Sequence, residues 1–130
     1  MEPVVIVILV AVVEVIVFGA RAGLARGRNE VKAPAVVGND EFERYFRVHY
    51  NTIEQMILFL PGIWFFGQYV NVYWAASLGV VFVIGRVIYA VNYVKDPGSR
   101  GVGMLMSIVP CWILVLGALT GVAWSMRGGL

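Results

Sequence analysis

Four long apolar segments are the feature that most constrains how this chain folds. The first runs from Pro3 to Ala20 with Glu14 as its only charged residue. That is about the length needed to cross a hydrocarbon core of roughly 30 Å. Because 60% of the residues are hydrophobic and only 14% are charged, the chain cannot form the charged surface typical of a soluble domain. It is predicted to be an integral membrane protein.

Helix-breaking residues divide the sequence into four helices. The polar connection between residues 21 and 43 contains four of them, Gly23, Gly27, Pro34 and Gly38. The Pro97-Gly98 pair ends the third apolar segment, because proline and glycine together punctuate helices. We expect an all-α, four-helix up-down bundle that occupies residues 1–130 as a single domain. The predicted helices cover residues 3–24, 42–66, 72–94 and 102–126.

Charge and composition exclude two further classes of function. A net charge of +2 is too small for an electrostatic nucleic-acid binder. One cysteine and one histidine cannot form a cysteine-based zinc site or a multi-histidine metal site within one subunit. We therefore expect neither a nucleic-acid partner nor a bound metal.

Basic residues are concentrated in two of the three connections. The first and third contain Arg21, Arg26, Arg28, Lys32, Lys95 and Arg100, whereas the second contains no lysine or arginine. Lysine and arginine mark cytoplasmic loops in membrane proteins. The first and third loops are therefore expected to face the cytoplasm.

Two polar stripes interrupt the apolar segments. The second segment carries Arg44, Arg47, Asn51 and Glu54, which fall within an arc of roughly 80° on a helix. The third carries Arg86, Tyr89 and Tyr93 at similar spacing. Structural ion pairs, such as Glu54 with Arg86, are one interpretation. The surplus of arginine favours the other, a cleft that binds an anionic ligand with several acceptors.

Three other polar residues lie outside these stripes. His49 lies about 140° from Arg44 around the second helix, so it is either a hydrogen-bonded packing residue or faces the cleft of a neighbouring subunit. Glu14 is isolated, and we expect it to pair with a donor on a neighbouring helix without a catalytic role. Arg26 and His49 have no evident partner within one bundle.

The segment from Glu41 to Glu54 resembles the signature of a known family. It reads Glu-Phe-Glu-Arg-Tyr-Phe-Arg-Val-His-Tyr-Asn-Thr-Ile-Glu. The sequence is similar to the family of membrane-associated proteins in eicosanoid and glutathione metabolism (MAPEG), near its microsomal glutathione transferases and leukotriene C synthases. The resemblance runs from Arg26 to about Trp124 and includes Arg86, Tyr89, Tyr93 and Arg100.

The resemblance implies a homotrimer that binds glutathione, as substrate or cofactor, between neighbouring subunits. The implied glutathione ligands within one subunit are Arg47, Asn51, Glu54, Arg86, Tyr89 and Tyr93. Arg26 and His49 would reach the site from the adjacent subunit, and Arg100 would activate the thiol. The implied reaction is conjugation of glutathione to a hydrophobic or lipid electrophile taken from the membrane lipids, with reduction of lipid hydroperoxides as a second activity.

Departures from the leukotriene synthases favour a broad-range transferase. Those enzymes have a glutamine at the position of His49 and a tyrosine at that of Gln55. The short C-terminal tail indicates a bacterial inner membrane in preference to the endoplasmic reticulum. Two alternatives stay open, a non-catalytic lipid-presenting protein and a glutathione-dependent isomerase; a purely structural or ion-conducting bundle is disfavoured by the surplus of arginine.

Overall fold

The computed structural model describes residues 1–128, and these residues form four α-helices and no strand. The helices are α1 (Glu2–Arg28), α2 (Asp40–Tyr69), α3 (Val72–Lys95) and α4 (Gly101–Gly128), and a short 3-10 turn (Pro97–Ser99) precedes α4. The predicted all-α class and the number of helices are confirmed over this part of the chain.

Asparagine caps set where two of the helices begin. The Asn39 side chain accepts a hydrogen bond from the backbone N–H of Phe42 at 2.9 Å, and Asn71 accepts one from Trp74 at 2.9 Å. Such caps satisfy backbone donors that have no partner within the helix. Because the cap is Asn39, α2 begins before the predicted Phe42 and includes three acidic residues in its first turn, where the helix dipole favours negative charge.

The prediction that Gly23 and Gly27 break the first helix is wrong. α1 continues through both glycines to Arg28, although each glycine costs a helix about 1 kcal/mol relative to alanine. The helix ends at Asn29, whose backbone N–H and side-chain amide both donate to the carbonyl of Ala25, at 3.0 and 2.9 Å. These bonds satisfy a C-terminal carbonyl that would otherwise lack a partner.

Close contacts at glycines show that neighbouring helices run antiparallel. Gly67, near the end of α2, lies beside Val4 at the start of α1, whereas Gly19, late in α1, lies beside His49 early in α2. Likewise Gly85 of α3 contacts Met106 of α4. The bundle therefore has up-down connectivity.

Three helices, α1, α3 and α4, are long and apolar enough to cross a membrane over the described residues. α2 is longer than any of them at 30 residues, but its first half carries the predicted polar stripe. The helix exteriors are apolar, with Ile57 71% and Leu119 66% exposed. Such surfaces are suited to lipid or to other subunits rather than to water.

Two clusters of buried side chains hold the bundle together. In the larger one, the rings of Phe59 and Phe82 stack with centroids 4.0 Å apart. The smaller cluster contains Phe18, Val48 and Tyr89. It connects α1, α2 and α3 at the level where the two polar stripes meet, and so it supports the candidate site.

Candidate functional site

Arg86 joins the two predicted polar stripes. Its side chain is buried, with 1% of the residue exposed. The terminal nitrogen Nη2 donates to Asn51 Oδ1 at 2.9 Å and to Thr52 Oγ1 at 2.8 Å, and Nε donates to Thr52 Oγ1 at 3.2 Å. The guanidinium is thus held by two neutral side chains of α2, and no carboxylate lies within 4.0 Å of it among the described residues.

Thr52 is a site residue that sequence reasoning missed. It is fully buried, and its hydroxyl donates to the carbonyl of Val48 at 2.7 Å while accepting from Arg86. A threonine within a helix usually bonds its own backbone in this way, so its position beside Asn51 was the only available signal. Its oxygen fixes the guanidinium plane of Arg86 against α2.

Two tyrosines extend the site from Arg86 along α3. The guanidinium carbon of Arg86 lies 4.3 Å from the ring centroid of Tyr89, which stacks on Tyr93 with centroids 5.4 Å apart. Guanidinium groups are attracted to aromatic faces in this geometry. The cation of Arg86 therefore lies against one face of the buried Tyr89 ring.

A cleft of about 390 Å³ opens beside these tyrosines at the end of the bundle that carries the first and third connections. Its lining residues include Val36, Phe46, Arg47, Tyr93 and Pro97. Arg47 is exposed and forms no hydrogen bond within residues 1–128. Its guanidinium is therefore available to a ligand in the cleft.

Arg44 belongs to the same stripe but has a structural role. Its Nη1 donates to the carbonyls of Val94 and Lys95 at 3.0 and 3.1 Å. These carbonyls end α3 and have no partner within that helix. Arg44 therefore ties the start of α2 to the end of α3 and keeps the two stripes in register.

Arg100 lies at the junction between the 3-10 turn and α4. Its side chain is exposed, and Nη1 donates to the carbonyl of Pro97 at 3.1 Å. Its own carbonyl accepts the N–H of Met104 at 2.9 Å, which starts α4. The backbone of Arg100 is thus fixed by the first turn of α4, while most of its guanidinium donors are free.

Glu54 is exposed on α2 and pairs with no cation among the described residues. The interpretation that it forms a structural ion pair with Arg86 is wrong within one subunit, because Asn51 and Thr52 occupy the donors of Arg86 that face α2. Its carboxylate is therefore available to a partner from outside these residues.

The premise that Arg26 lacks partners in its own bundle is wrong. Its Nη1 donates to the carbonyl of Ala35 at 2.8 Å and to that of Val31 at 3.4 Å, and its guanidinium lies 4.5 Å from the ring centroid of Phe42. These contacts hold the long connection against α2. Since they involve a single terminal nitrogen, the remaining donors of Arg26 are still available.

His49 packs within the subunit against α1. A methyl group at Gly19 would lie 2.9 Å from its ring carbon Cε1, so the glycine provides the space for the imidazole. The Nδ1 atom is buried and has no hydrogen-bond partner in the described chain. The Nδ1 edge of His49 therefore packs within its own subunit, without the hydrogen bond expected of a packing histidine.

The expected donor for Glu14 is also missing. Glu14 is 91% buried, and neither carboxyl oxygen has a hydrogen-bond partner among residues 1–128. Val7 of α1 lies beside Gly79 of α3, and seven residues further along each helix are Glu14 and Arg86. The two residues therefore lie at the same level of the bundle, but they do not form an ion pair among the described residues.

Comparison with known proteins gives independent evidence on the family of this chain. The MAPEG family model matches residues 4–120. An uncharacterized Synechocystis protein, sll1147, is 44% identical over 81% of this chain and 77% of its own. Human microsomal glutathione S-transferase 2 is 37% identical over 83% of this chain and 74% of its own. Guinea-pig (Cavia porcellus) leukotriene C4 synthase is 32% identical over 75% and 65%, respectively.

Proposed function

Since the chain belongs to the MAPEG family and is an integral membrane protein, we propose that it is a membrane-bound glutathione transferase that conjugates glutathione to hydrophobic electrophiles. The observation that carries this proposal is the buried guanidinium of Arg86, which bonds only neutral oxygens within residues 1–128 of its own subunit. A buried charge without an opposite charge is costly. A peptide with two carboxylates, such as glutathione, supplies the missing negative charge.

The arginines supply the contacts to the two carboxylates of glutathione. Arg47 has free donors in the cleft. Arg86 lies over the ring of Tyr89, and its Nη1 forms no hydrogen bond within the described residues. Asn51, whose oxygen is occupied by Arg86, presents its amide N–H groups to an acceptor on the peptide. Glu54 accepts from the glutathione amine, and the two tyrosine hydroxyls orient the backbone.

Arg100 stabilises the thiolate of bound glutathione. A guanidinium stays protonated at neutral pH and lowers the pKa of a neighbouring thiol without exchanging protons with it. The thiol proton passes to water at the mouth of the cleft. The thiolate then attacks the electrophilic carbon, so that a carbon–sulfur bond forms and the leaving group departs with the displaced electron pair.

The exposed charges of α2 support assembly as a homotrimer. Arg47 and Glu54 are exposed on the outside of the subunit, where lipid would leave both charges unpaired. A neighbouring copy covers this face and contributes the free donors of Arg26 and the part of the half-buried His49 imidazole that its own subunit leaves uncovered. Native mass spectrometry in detergent is expected to detect three subunits, and a stable, active monomer would contradict a shared site.

The first and third loops face the cytoplasm, where glutathione is available. This orientation follows from the arginines and lysines in those loops, and the match to a Synechocystis protein supports location in a bacterial inner membrane.

Binding and turnover together test the proposed function. Purified protein in detergent is titrated with glutathione by calorimetry and then assayed for conjugation of chloro-dinitrobenzene. Saturable binding with turnover is expected. Binding without turnover would indicate a lipid-presenting protein, and turnover only of a lipid endoperoxide would indicate an isomerase. Absence of glutathione binding would refute the proposal.

A further inference from the structure

α3 and α4 approach each other most closely at two glycines on opposite sides of their contact. A methyl group at Gly85 of α3 would lie 2.7 Å from Cβ and 2.9 Å from the carbonyl carbon of Met106 in α4. A methyl group at Gly103 of α4 would collide with the backbone nitrogen of Tyr89 and lie 2.6 Å from its Cα. Neither position can accept a Cβ atom unless the helices separate.

Gly103 belongs to the same helical turn as Arg100. The carbonyl of Arg100 accepts the N–H of Met104 at 2.9 Å, so this first turn of α4 moves as one unit. Its contact with the backbone of Tyr89 therefore sets how far Arg100 lies from Tyr89 and from the candidate site.

A side chain added at Gly103 or Gly85 would displace α4 rather than α3. Side chains tie α3 to α2 at both ends of the site, through Arg86 to Asn51 and Thr52 and through Arg44 to the carbonyl of Val94. Within residues 1–128, no side chain of α4 forms a hydrogen bond to another helix; Ser107, for example, bonds the carbonyl of Gly103 in its own helix. The tight contacts of α4 with α2 lie further along the helix, at Gly117 and Gly121, so the end of α4 that carries Arg100 is less restrained than α3.

We propose that Gly103 is a positioning residue for thiol activation, because its missing side chain allows α4 to place Arg100 against the glutathione thiol. The proposal rests on the proposed function. Gly103 touches neither substrate nor thiol and acts only through Arg100. Gly85 has the same role from α3, at the Met106 contact.

The test compares Gly103→Ala with Gly101→Ala. Gly101 lies in the same turn, but a methyl group there would meet nothing within 4 Å. We expect Gly103→Ala to lower kcat for chloro-dinitrobenzene at neutral pH by about 10- to 100-fold, as small misplacements of a catalytic group do. The dissociation constant of glutathione should stay within about threefold of wild type, because the residues that bind its carboxylates do not move. A threefold change corresponds to less than the roughly 1.4 kcal/mol of a tenfold change.

A pH titration separates positioning from general damage. The apparent pKa of bound glutathione, followed by the ultraviolet absorbance of its thiolate, should rise in Gly103→Ala toward the value of about 8.5 for a free thiol. Alkaline pH should then restore much of its turnover, whereas Gly101→Ala should match wild type throughout. Gly85→Ala should show the same rise in apparent pKa.

Three results would overturn the inference. Equal thiol pKa values in Gly103→Ala and Gly101→Ala would show that the close approach does not position Arg100. Loss of turnover that alkaline pH does not restore, or failure of Gly103→Ala to fold while Gly101→Ala folds, would make the glycine a packing residue only. A wild-type protein that binds no glutathione would instead refute the proposed function, so the two failures are distinguishable.

Discussion

Replacing Thr52 by valine removes the oxygen that holds Arg86 and keeps nearly the same shape. The threonine oxygen accepts from both Nε and Nη2 of Arg86, at 3.2 and 2.8 Å, and the threonine is fully buried. In Thr52→Val, a water molecule could replace the lost oxygen only if the substitution left a cavity beside Arg86. Of the side chains that the structure describes, Asn51 alone would still accept from this guanidinium.

The magnitude follows from the energy of a hydrogen bond to a charged group, about 1.5–3 kcal/mol. The two bonds share one oxygen, so we count them as a single interaction. If the Arg86 side chain loses the bond that holds it in its binding position, glutathione affinity should fall by about 10- to 100-fold, since each 1.4 kcal/mol corresponds to a factor of ten.

Calorimetric titration of glutathione into the purified variants measures this effect. Thr52→Ser keeps the hydroxyl and is the matched control, and it should bind within a fewfold of wild type. Thr52→Val that binds as tightly as Thr52→Ser would refute the reasoning, because the hydroxyl would then contribute nothing to the pose of Arg86.

Two further predictions concern charges at and behind the site. Arg47→Ala should weaken glutathione binding tenfold or more, since a charge-assisted hydrogen bond contributes about 1.5–3 kcal/mol; unchanged affinity by calorimetry would remove Arg47 from the site. Glu14→Leu should raise the thermal unfolding midpoint, because a buried carboxyl without a hydrogen bond costs about 1–3 kcal/mol and both Glu14 oxygens lack a partner in the described chain. A lower midpoint would show that Glu14 has a stabilising partner in the assembled protein.

The sequence predicted the helices well because their signals are local. Long apolar segments predicted the start of α3 at Val72 correctly, whereas the cap at Asn39, which the sequence analysis did not use, places the start of α2 two residues before the predicted Phe42. The errors at Gly23 and Gly27 arose because the cost of glycine in a helix is small enough for other contacts to offset. Hydrogen bonds of Asn29 and Arg26 stabilise the last turn of α1, and no local sequence pattern predicts these bonds.

The sequence predicted most of the residues that form the candidate site, but it did not predict all of the hydrogen bonds among them. Helical spacing brought Arg86 and Asn51 together as two facing stripes, and they do share a hydrogen bond. Spacing could not show that Thr52 holds the same guanidinium, that Arg44 caps α3, or that Arg26 bonds its own loop, since each depends on the exact crossing of two segments. The roles of Arg47, Glu54 and Arg100 toward a ligand stay predictions.

The ultraviolet absorbance of the glutathione thiolate tests the central claim most directly. Wild-type protein mixed with glutathione at neutral pH should show this absorbance in proportion to occupied sites, because a drop of about two pKa units, equivalent to roughly 2.7 kcal/mol, makes most of the bound thiol ionised. Arg100→Ala should bind glutathione but lose both the absorbance and the turnover. If Arg100→Ala keeps both, Arg100 does not stabilise the thiolate and the proposed chemistry at this site is wrong.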